Sequence, residues 1–509
     1  MIRRRPDLFL LIPIVALGVA LRLWHAFSAP LWLDEAYSAY AAGKGWAFLW
    51  QIVPRYETHP PFYYSLLRGW TLAFGDGRVA LRSLGVAASI LTLLPVWLAG
   101  RSLGRMAGSD PRWVGLAAVL LAASAPLFGD MAQQVRPYAV LIFSFATAIA
   151  ALLRSAEGVA ATGRLPRVAW GAYVAALALC LWLHNLGPLY AAALGLAALV
   201  LIARAGLSRR EWLLFLGGHA LAGLLYLPAF LILLDQAPTW IKSTWLTFRT
   251  GALEWRVAAL WGVPGRVALW AALPLVLLAL LACVRTGAGR RAGFALALLA
   301  VLPVATSILL SVWVTPVFII RTMTPCGIPA LLLLALGMAG QRGWLRLLAV
   351  PLGLLLVHQQ IQASIAARQR PPMQDWAHAL RWLAPRIRPG DMLYAYPNEG
   401  ALPFSYAARD LGLTLPVRAV PTPVPSFDVP GAWYPTGSRG VVSLPKPALE
   451  RIAAEPATRA VPTVWLLRLG PWAYDKGDLF ARALLRDRRI VGRYRNGAID
   501  LVGLRRAER

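Results

Sequence analysis

Leu31-Trp-Leu-Asp-Glu-Ala-Tyr-Ser-Ala-Tyr40 stands just past the first long apolar run of the chain, about residues 8–27. A run of that length matches the ~20 residues a helix needs to cross a bilayer. Asp34 and Glu35 therefore lie at a membrane boundary, where ionised groups are costly unless they face water or do chemistry. A short loop separates them from Tyr56-Glu-Thr-His-Pro-Pro-Phe-Tyr-Tyr64. The fold reading rests on this alternation of apolar runs with short polar loops.

The chain has 509 residues, 58% of them hydrophobic and only 15% charged, with mean hydropathy +0.58. A soluble protein would carry about 25% charged residues, so the composition is that of an integral membrane protein. The net charge of +28 would suggest nucleic acid in a soluble chain. Here most arginines punctuate the apolar runs, as cytoplasmic loops require, and no nucleic-acid motif accompanies them, so no nucleic-acid partner is expected. Cys180, Cys283 and Cys326 lie in or beside apolar runs without metal-ligand spacing and read as buried small hydrophobes. The run after Met1-Ile-Arg-Arg-Arg5 lacks a convincing small-residue cleavage site and reads as a retained first span.

Membrane-length stretches fall at about 8–27, 79–100, 112–128, 137–153, 168–184, 186–203, 212–234, 266–284, 293–313, 317–340 and 344–362. They predict a polytopic α-helical protein of about eleven transmembrane helices, with a transmembrane domain over 1–364. Arginines at 3–5, 101–112, 154–167, 204–210, 285–291 and 342–346 fall on one side, which the positive-inside rule makes cytoplasmic. The opposite loops hold Asp34, Glu35, Glu57 and His59; Asp130 and Arg136; His184 and Asn185; Trp240, Lys242 and Trp245; and Arg321. Any chemistry is then expected outside or in the periplasm, at a bacterial-type plasma membrane.

From about 365 the pattern becomes that of a soluble α/β domain, 365–509, on the outer side. A helix is expected over Asp375–Leu383, strands over Met392–Tyr396 and Thr463–Leu467, a helix near 476–487 and two strands near 489–504; Pro416–Pro435 reads as loop. This domain carries no motif that translates into chemistry, and His378 and Asp391 fit an ordinary helix and turn.

Each outer residue has a structural and a functional reading. Asp34 and Glu35 suit the first turn of a helix, worth about 0.3–1 kcal/mol against the helix dipole; alternatively Asp34 takes a proton from an acceptor hydroxyl or amine. Pro60 and Pro61 fix the backbone around His59; the loop is a rigid turn, or it holds His59 for a phosphate oxygen or, with a carboxylate, a divalent metal. Arg136 in Asp130-Met-Ala-Gln-Gln-Val-Arg-Pro-Tyr138 snorkels to headgroups or grips an anion through its fork of donors. Arg321, inside an otherwise apolar run, calls for an anion to meet. His184 reads as a polar cap between spans, and Lys242 with its tryptophans as an interfacial anchor.

Taken together, Asp34-Glu35, Glu57-x-His59-Pro-Pro61, Gln134-x-Arg136-Pro-Tyr138, Arg321 and the tail opening with Asp375-Trp resemble the polytopic GT-C glycosyltransferases. The resemblance is nearest to the family 39-like group of protein O-mannosyltransferases, the aminoarabinose transferase that modifies lipid A, and galacturonic-acid transferases. Many relatives carry an acid at the position of Gln134 and a tyrosine at that of Thr322; Asp130 is the candidate to replace the former. The resemblance implies an inverting sugar transfer from a polyprenyl-phosphate donor to a lipid, glycan or protein acceptor among membrane lipids. In that scheme Asp34 is the base, with Glu35 beside it. His59, Arg136 and Arg321 bind the donor phosphate, and Glu57 and Asp130 orient the acceptor or a divalent metal cation. Gln134, Tyr138, His184 and Lys242 are expected donor contacts. A transporter or flippase of lipid-linked sugars is the rival reading, although transporters place their sites near the membrane midplane.

Overall fold

The computed structural model describes residues 6–57, 59–202, 207–243, 246–432 and 440–507. The chain divides into two compact units. The first comprises Met1–Ala26, Arg82–Asp235 and Leu246–Arg370; the second comprises Phe27–Leu81, Gln236–Trp245 and Pro371–Arg509. The C-terminal tail thus belongs to the same unit as the first loop, which a division at 364/365 separates from it.

The first unit is α-helical. Among the described residues seven helices are long and apolar enough to cross a membrane, and eight if the bent pair Pro111–Ser124 and Pro126–Ala132 is one span. Phe9–Leu23, Arg167–Leu183 and Gly187–Ile202 are shorter apolar helices. Every apolar stretch anticipated from sequence lies on a helix, but the expected number of eleven spans is not reached by length and composition alone. The 60° break in the bent pair follows from Pro126, which restricts Ala125 to extended backbone (φ −60°, ψ 118°) and opens the next helix.

Small residues let these helices approach closely. A Cβ on Gly100 would stand 2.9 Å from that of Ala118 and 3.0 Å from the Val114 carbonyl, so the helices Leu93–Met106 and Pro111–Ser124 pack backbone to backbone. Arg22 is fully buried among them. It donates to Ser89 Oγ at 2.8 Å and to the carbonyls of Gly18, Ala122 and Ala123 at 3.0–3.1 Å. Backbone carbonyls thereby satisfy a charge that hydrocarbon would exclude. Cys180, Cys283 and Cys326 are buried and free.

The second unit joins helices of the first loop (Leu33–Lys44, Trp46–Gln51, Pro61–Phe74) to a five-stranded sheet. Its strands are β1 (Met392–Ala395), β2 (Arg418–Ala419), β3 (Thr463–Leu469), β4 (Arg488–Asn496) and β5 (Ile499–Arg506), in the order β2-β1-β3-β5-β4. β2, β1 and β3 run parallel; β5 and β4 continue the sheet antiparallel. β3 is buried along its whole length, as its near-continuous apolar sequence requires for a strand covered on both faces. Trp465 and Leu467 point to a core with Trp376, Leu380, Phe404 and Leu501, while Val464 and Leu466 point to another with Tyr394, Phe480 and Leu504. Gly503 lies opposite Trp465 because a Cβ there would come within 2.6 Å of the indole.

The anticipated strands and the helix after Asp375 are present. The helix expected near 476–487 is shorter, Leu479–Leu484, because Gly477 and Asp478 take the left-handed region (φ +86° and +53°) just before it. Asp478 and the buried Asp500 there hold Arg468 of β3. The described part of the Pro416–Pro435 loop contains the two-residue strand β2; Pro435 lies outside the described residues. Helices Ala401–Asp410 and Lys446–Ala454 were not anticipated.

Candidate active site

Asp34 and Glu35 occupy the first turn of the helix Leu33–Lys44, and the two acids do different work. Glu35 is 1% exposed, and its carboxylate accepts the Trp32 N–H at 3.2 Å, closing the helix start from inside. For Glu35 the structural reading accounts for the side chain. Asp34 is only part-buried, and its backbone carbonyl, not its carboxylate, accepts from Ser38 Oγ.

The helix start is pinned by a residue that sequence reasoning passed over. Gln374 Oε1 accepts the Leu33 N–H at 3.0 Å and the Trp376 indole N–H at 3.1 Å. Next to it, Asp375 caps the tail helix Trp376–Leu383 by accepting from His378 N at 3.0 Å. Gln374→Leu would leave two donors unsatisfied, at about 1–3 kcal/mol each. A lower unfolding midpoint and faster amide exchange at Leu33 are the expected result, and unchanged exchange there would contradict the pinning role.

His59 Nδ1 stands 3.2 Å from Glu57 Oε1, a contact not anticipated from sequence, and His59 is almost fully buried. Gln236 holds this loop from a distant part of the chain. Its amide donates to the carbonyls of Pro54 at 2.6 Å and Glu57 at 2.9 Å. Lys242 lies on the helix Arg209–Ser243, and its side chain is outside the described residues, as is Trp245.

The cationic candidates belong to the first unit. Arg136 is buried in the turn between the helices Pro126–Ala132 and Tyr138–Thr162. Gln134 exposes a buried Oε1 with no hydrogen-bond partner among the described residues, so this position offers an acceptor even without the acid of the relatives. Asp130 is ion-paired to Arg368 at 2.6 Å, an arginine not anticipated, for which Gly129 leaves room. Tyr138 is buried with its ring 6.2 Å from that of His184, whose Nδ1 accepts the Leu186 N–H at 3.0 Å; His184 is thus a cap between two helices. Arg321 stands on the short helix Ile320–Met323, where the Tyr190 hydroxyl donates to the carbonyl of the following Thr322.

Among the described residues no three His, Cys, Asp or Glu side chains assemble into a metal-binding group. Glu57 and His59 supply two ligands of suitable chemistry, and among the described residues no third joins them.

One further acid enters the second unit from the tail. Glu399, in the turn Asn398–Gly400 after β1, is 8% exposed. Burial, and after it the charge of Asp34, pushes its carboxyl up to about 8. Tyr37, one helical turn beyond Asp34, carries a buried hydroxyl with no hydrogen-bond partner among the described residues, and burial and Glu399 push it well above its ordinary value. The only signal for Glu399 in the sequence was a Pro-Asn-Glu-Gly turn closing a predicted strand.

The chain thus combines a helical unit with an α/β unit that incorporates the first loop. Neither models of known families nor the sequences of curated proteins match the chain. Solved structures do. ArnT from Cupriavidus metallidurans, in its apo state and bound to undecaprenyl phosphate, aligns with a TM-score of 0.59 and 14% identity over 97% of each chain. The Archaeoglobus fulgidus oligosaccharyltransferase, tethered to an acceptor peptide, aligns with a TM-score of 0.52 and 12% identity over 99% of this chain and 74% of its own. At these identities the likeness is one of fold: the chain shares the fold of these membrane glycosyltransferase structures.

Proposed function

We propose that the protein is a membrane glycosyltransferase that moves a sugar from a polyprenyl-phosphate donor to a lipid, glycan or protein acceptor at the outer face of a bacterial-type plasma membrane. The observation that carries this reading is the end-to-end fold match to a protein whose structure holds undecaprenyl phosphate. The helix bearing Asp34 lies just past the first apolar helix of this chain. The arginine-rich loops support an orientation with the first loop and tail outside.

In the proposed reaction an acceptor hydroxyl or amine gives its proton to Asp34 while its oxygen or nitrogen bonds to the anomeric carbon. The bond from that carbon to the phosphate oxygen breaks, with inversion, and polyprenyl phosphate leaves as the anion. Arg136 and Arg321 stabilise the charge that develops on it, with His59 and Glu57 ordering the polar loop. A carboxylate base and fixed guanidinium donors are what such a displacement needs.

The test is purified protein in lipid nanodiscs with a panel of radiolabelled polyprenyl-phosphate sugars. Transfer or release of label from one donor is expected and would name the sugar. Donors that bind and never turn over would reject the transferase and favour a carrier of lipid-linked sugars.

A further inference from the structure

Three helices of the first unit, Leu93–Met106, Tyr138–Thr162 and Gly187–Ile202, end where a fourth, Gly287–Trp313, begins. This is the arginine-rich end of the unit, the one the positive-inside rule assigns to the cytoplasm. The four helices enclose a cavity of about 330 Å³ whose wall includes Arg105, Glu157, Ala160, Leu201, Ala288 and Arg291. That volume lies in the range of small-ligand sites.

The charges on the wall do not balance. Glu157 is the one acid lining the cavity among the described residues, and it is already engaged. It accepts from Arg105 Nε at 2.6 Å and Nη2 at 2.9 Å, from Ser102 Oγ at 3.0 Å and from Arg154 Nη1 at 3.3 Å. A carboxylate offers about four acceptor positions, so none is left over for Arg291. Arg291 lines the same cavity with its Nε shut off from solvent and without a hydrogen-bond partner among the described residues. An enclosed cationic donor of this kind is costly until an acceptor meets it.

The corner that holds Arg291 is firmly built. Thr286 Oγ1 accepts the Gly289 N–H at 2.8 Å and donates to the Met106 carbonyl. A Cβ on Gly289 would stand 3.1 Å from Ala107 Cα, so the start of one helix abuts the end of another. The first turn of Gly287–Trp313 adds the positive end of its dipole to the two arginines. Further along the same helix, Phe294 and Val301 are exposed, three and ten residues on from Arg291 and on its side of the helix. A cationic head position at the end of the helices thus continues into an uncovered apolar stripe along their length.

We propose that this cavity binds the phosphate group of an anionic phospholipid from the leaflet at the arginine-rich end, with Arg291 as the principal donor, Arg105 as the second cation and an acyl chain along Phe294 and Val301. A guanidinium fork suits phosphate oxygens, and basic pockets between membrane helices on this side suit anionic headgroups. Glu157 keeps Arg105 in place, and the bound lipid ties four helix ends together, so occupancy stabilises the folded unit by mass action. The inference does not depend on the transferase reading.

The test uses the purified full chain in a neutral detergent, with native mass spectrometry to count bound lipid and an unfolding curve beside it. Dioleoyl phosphatidylglycerol is expected to stay bound and to raise the unfolding midpoint, and dioleoyl phosphatidylcholine, whose choline neutralises its phosphate, to do less. Arg291→Gln should weaken phosphatidylglycerol binding about tenfold or more, as loss of a charge-assisted donor requires. Arg290→Gln makes the same charge change at an exposed neighbour outside the cavity wall. It should leave binding within about twofold at physiological salt, where exposed charges are screened. Ala160→Trp fills the cavity from an exposed position and removes no charge, so it should abolish the binding and keeps the test open if R291Q fails to fold. Equal losses in R291Q and R290Q, or undiminished binding in A160W, overturn the site. Inorganic phosphate that raises the midpoint of the wild type but not of R291Q, with no phosphatidylglycerol retained, overturns the lipid assignment and makes the ligand a soluble phosphate.

Discussion

Asp34→Asn is expected to lower sugar transfer by about 10²–10⁴-fold, the range a positioned general base contributes, while polyprenyl-phosphate sugar still binds. The substitution is nearly isosteric and removes only the capacity to take a proton. The helix start should survive it, because Glu35 and Gln374, not the Asp34 carboxylate, close that end of the helix. Asp34 is also the part-buried member of the acidic pair, left accessible where Glu35 is enclosed. Single-turnover transfer measured beside equilibrium donor binding separates the two effects. Full activity in D34N rules out the base, and loss of binding with the residual rate intact would move Asp34 to donor recognition.

The second large effect is expected at the arginines. Replacing Arg136 or Arg321 with Gln should cost about 10²–10³ in kcat each, as for other fixed donors aimed at developing charge. Glutamine keeps a polar head but presents neither the charge nor the fork of parallel donors that suits a phosphate. Arg136 is the more buried, so R136Q also calls for a thermal unfolding curve. A selective loss of kcat with an unaltered unfolding midpoint supports the role; a lost midpoint with normal kcat in the folded fraction makes Arg136 structural. Because Arg136 and Arg321 would act on one leaving group, the double variant should lose less than the sum of the two single losses.

Much of the fold was legible because membrane helices and strands write their periodicity into local sequence. Each apolar stretch became a helix, and the alternation in Thr463–Leu467 sent Trp465 and Val464 to opposite cores. The fixed backbone at Pro60 and Pro61 was legible too, whereas the contact of His59 with Glu57 on that loop came only with the structure. Gln374, Gln236 and Arg368 were not legible. Each acts on a partner remote in sequence, as in the 341 positions between Leu33 and Gln374, and nothing local distinguishes it from a solvated polar residue.

A division at 364/365 follows the change in composition, yet the first loop and the tail form one compact unit. Apolar side chains such as Leu33 and Tyr37 on an exposed loop look like membrane-interface residues, but they pack into cores of the α/β unit. Burial of apolar surface is non-directional, so a pattern shows that a face must be covered and not by what.

The sequence by itself determined the solvent of each segment, the helices that avoid unpaired backbone in lipid, the strands of the tail and the carboxylates and arginines available for chemistry. Only the tertiary structure decided which acid caps its helix, that Asp130 pairs with Arg368, and that Gln374 of the tail holds the start of the helix that carries Asp34. Hydropathy and periodicity are properties of neighbouring residues. The state of a carboxyl depends on burial and on charges brought from elsewhere in the chain, and these exist only once the chain has folded.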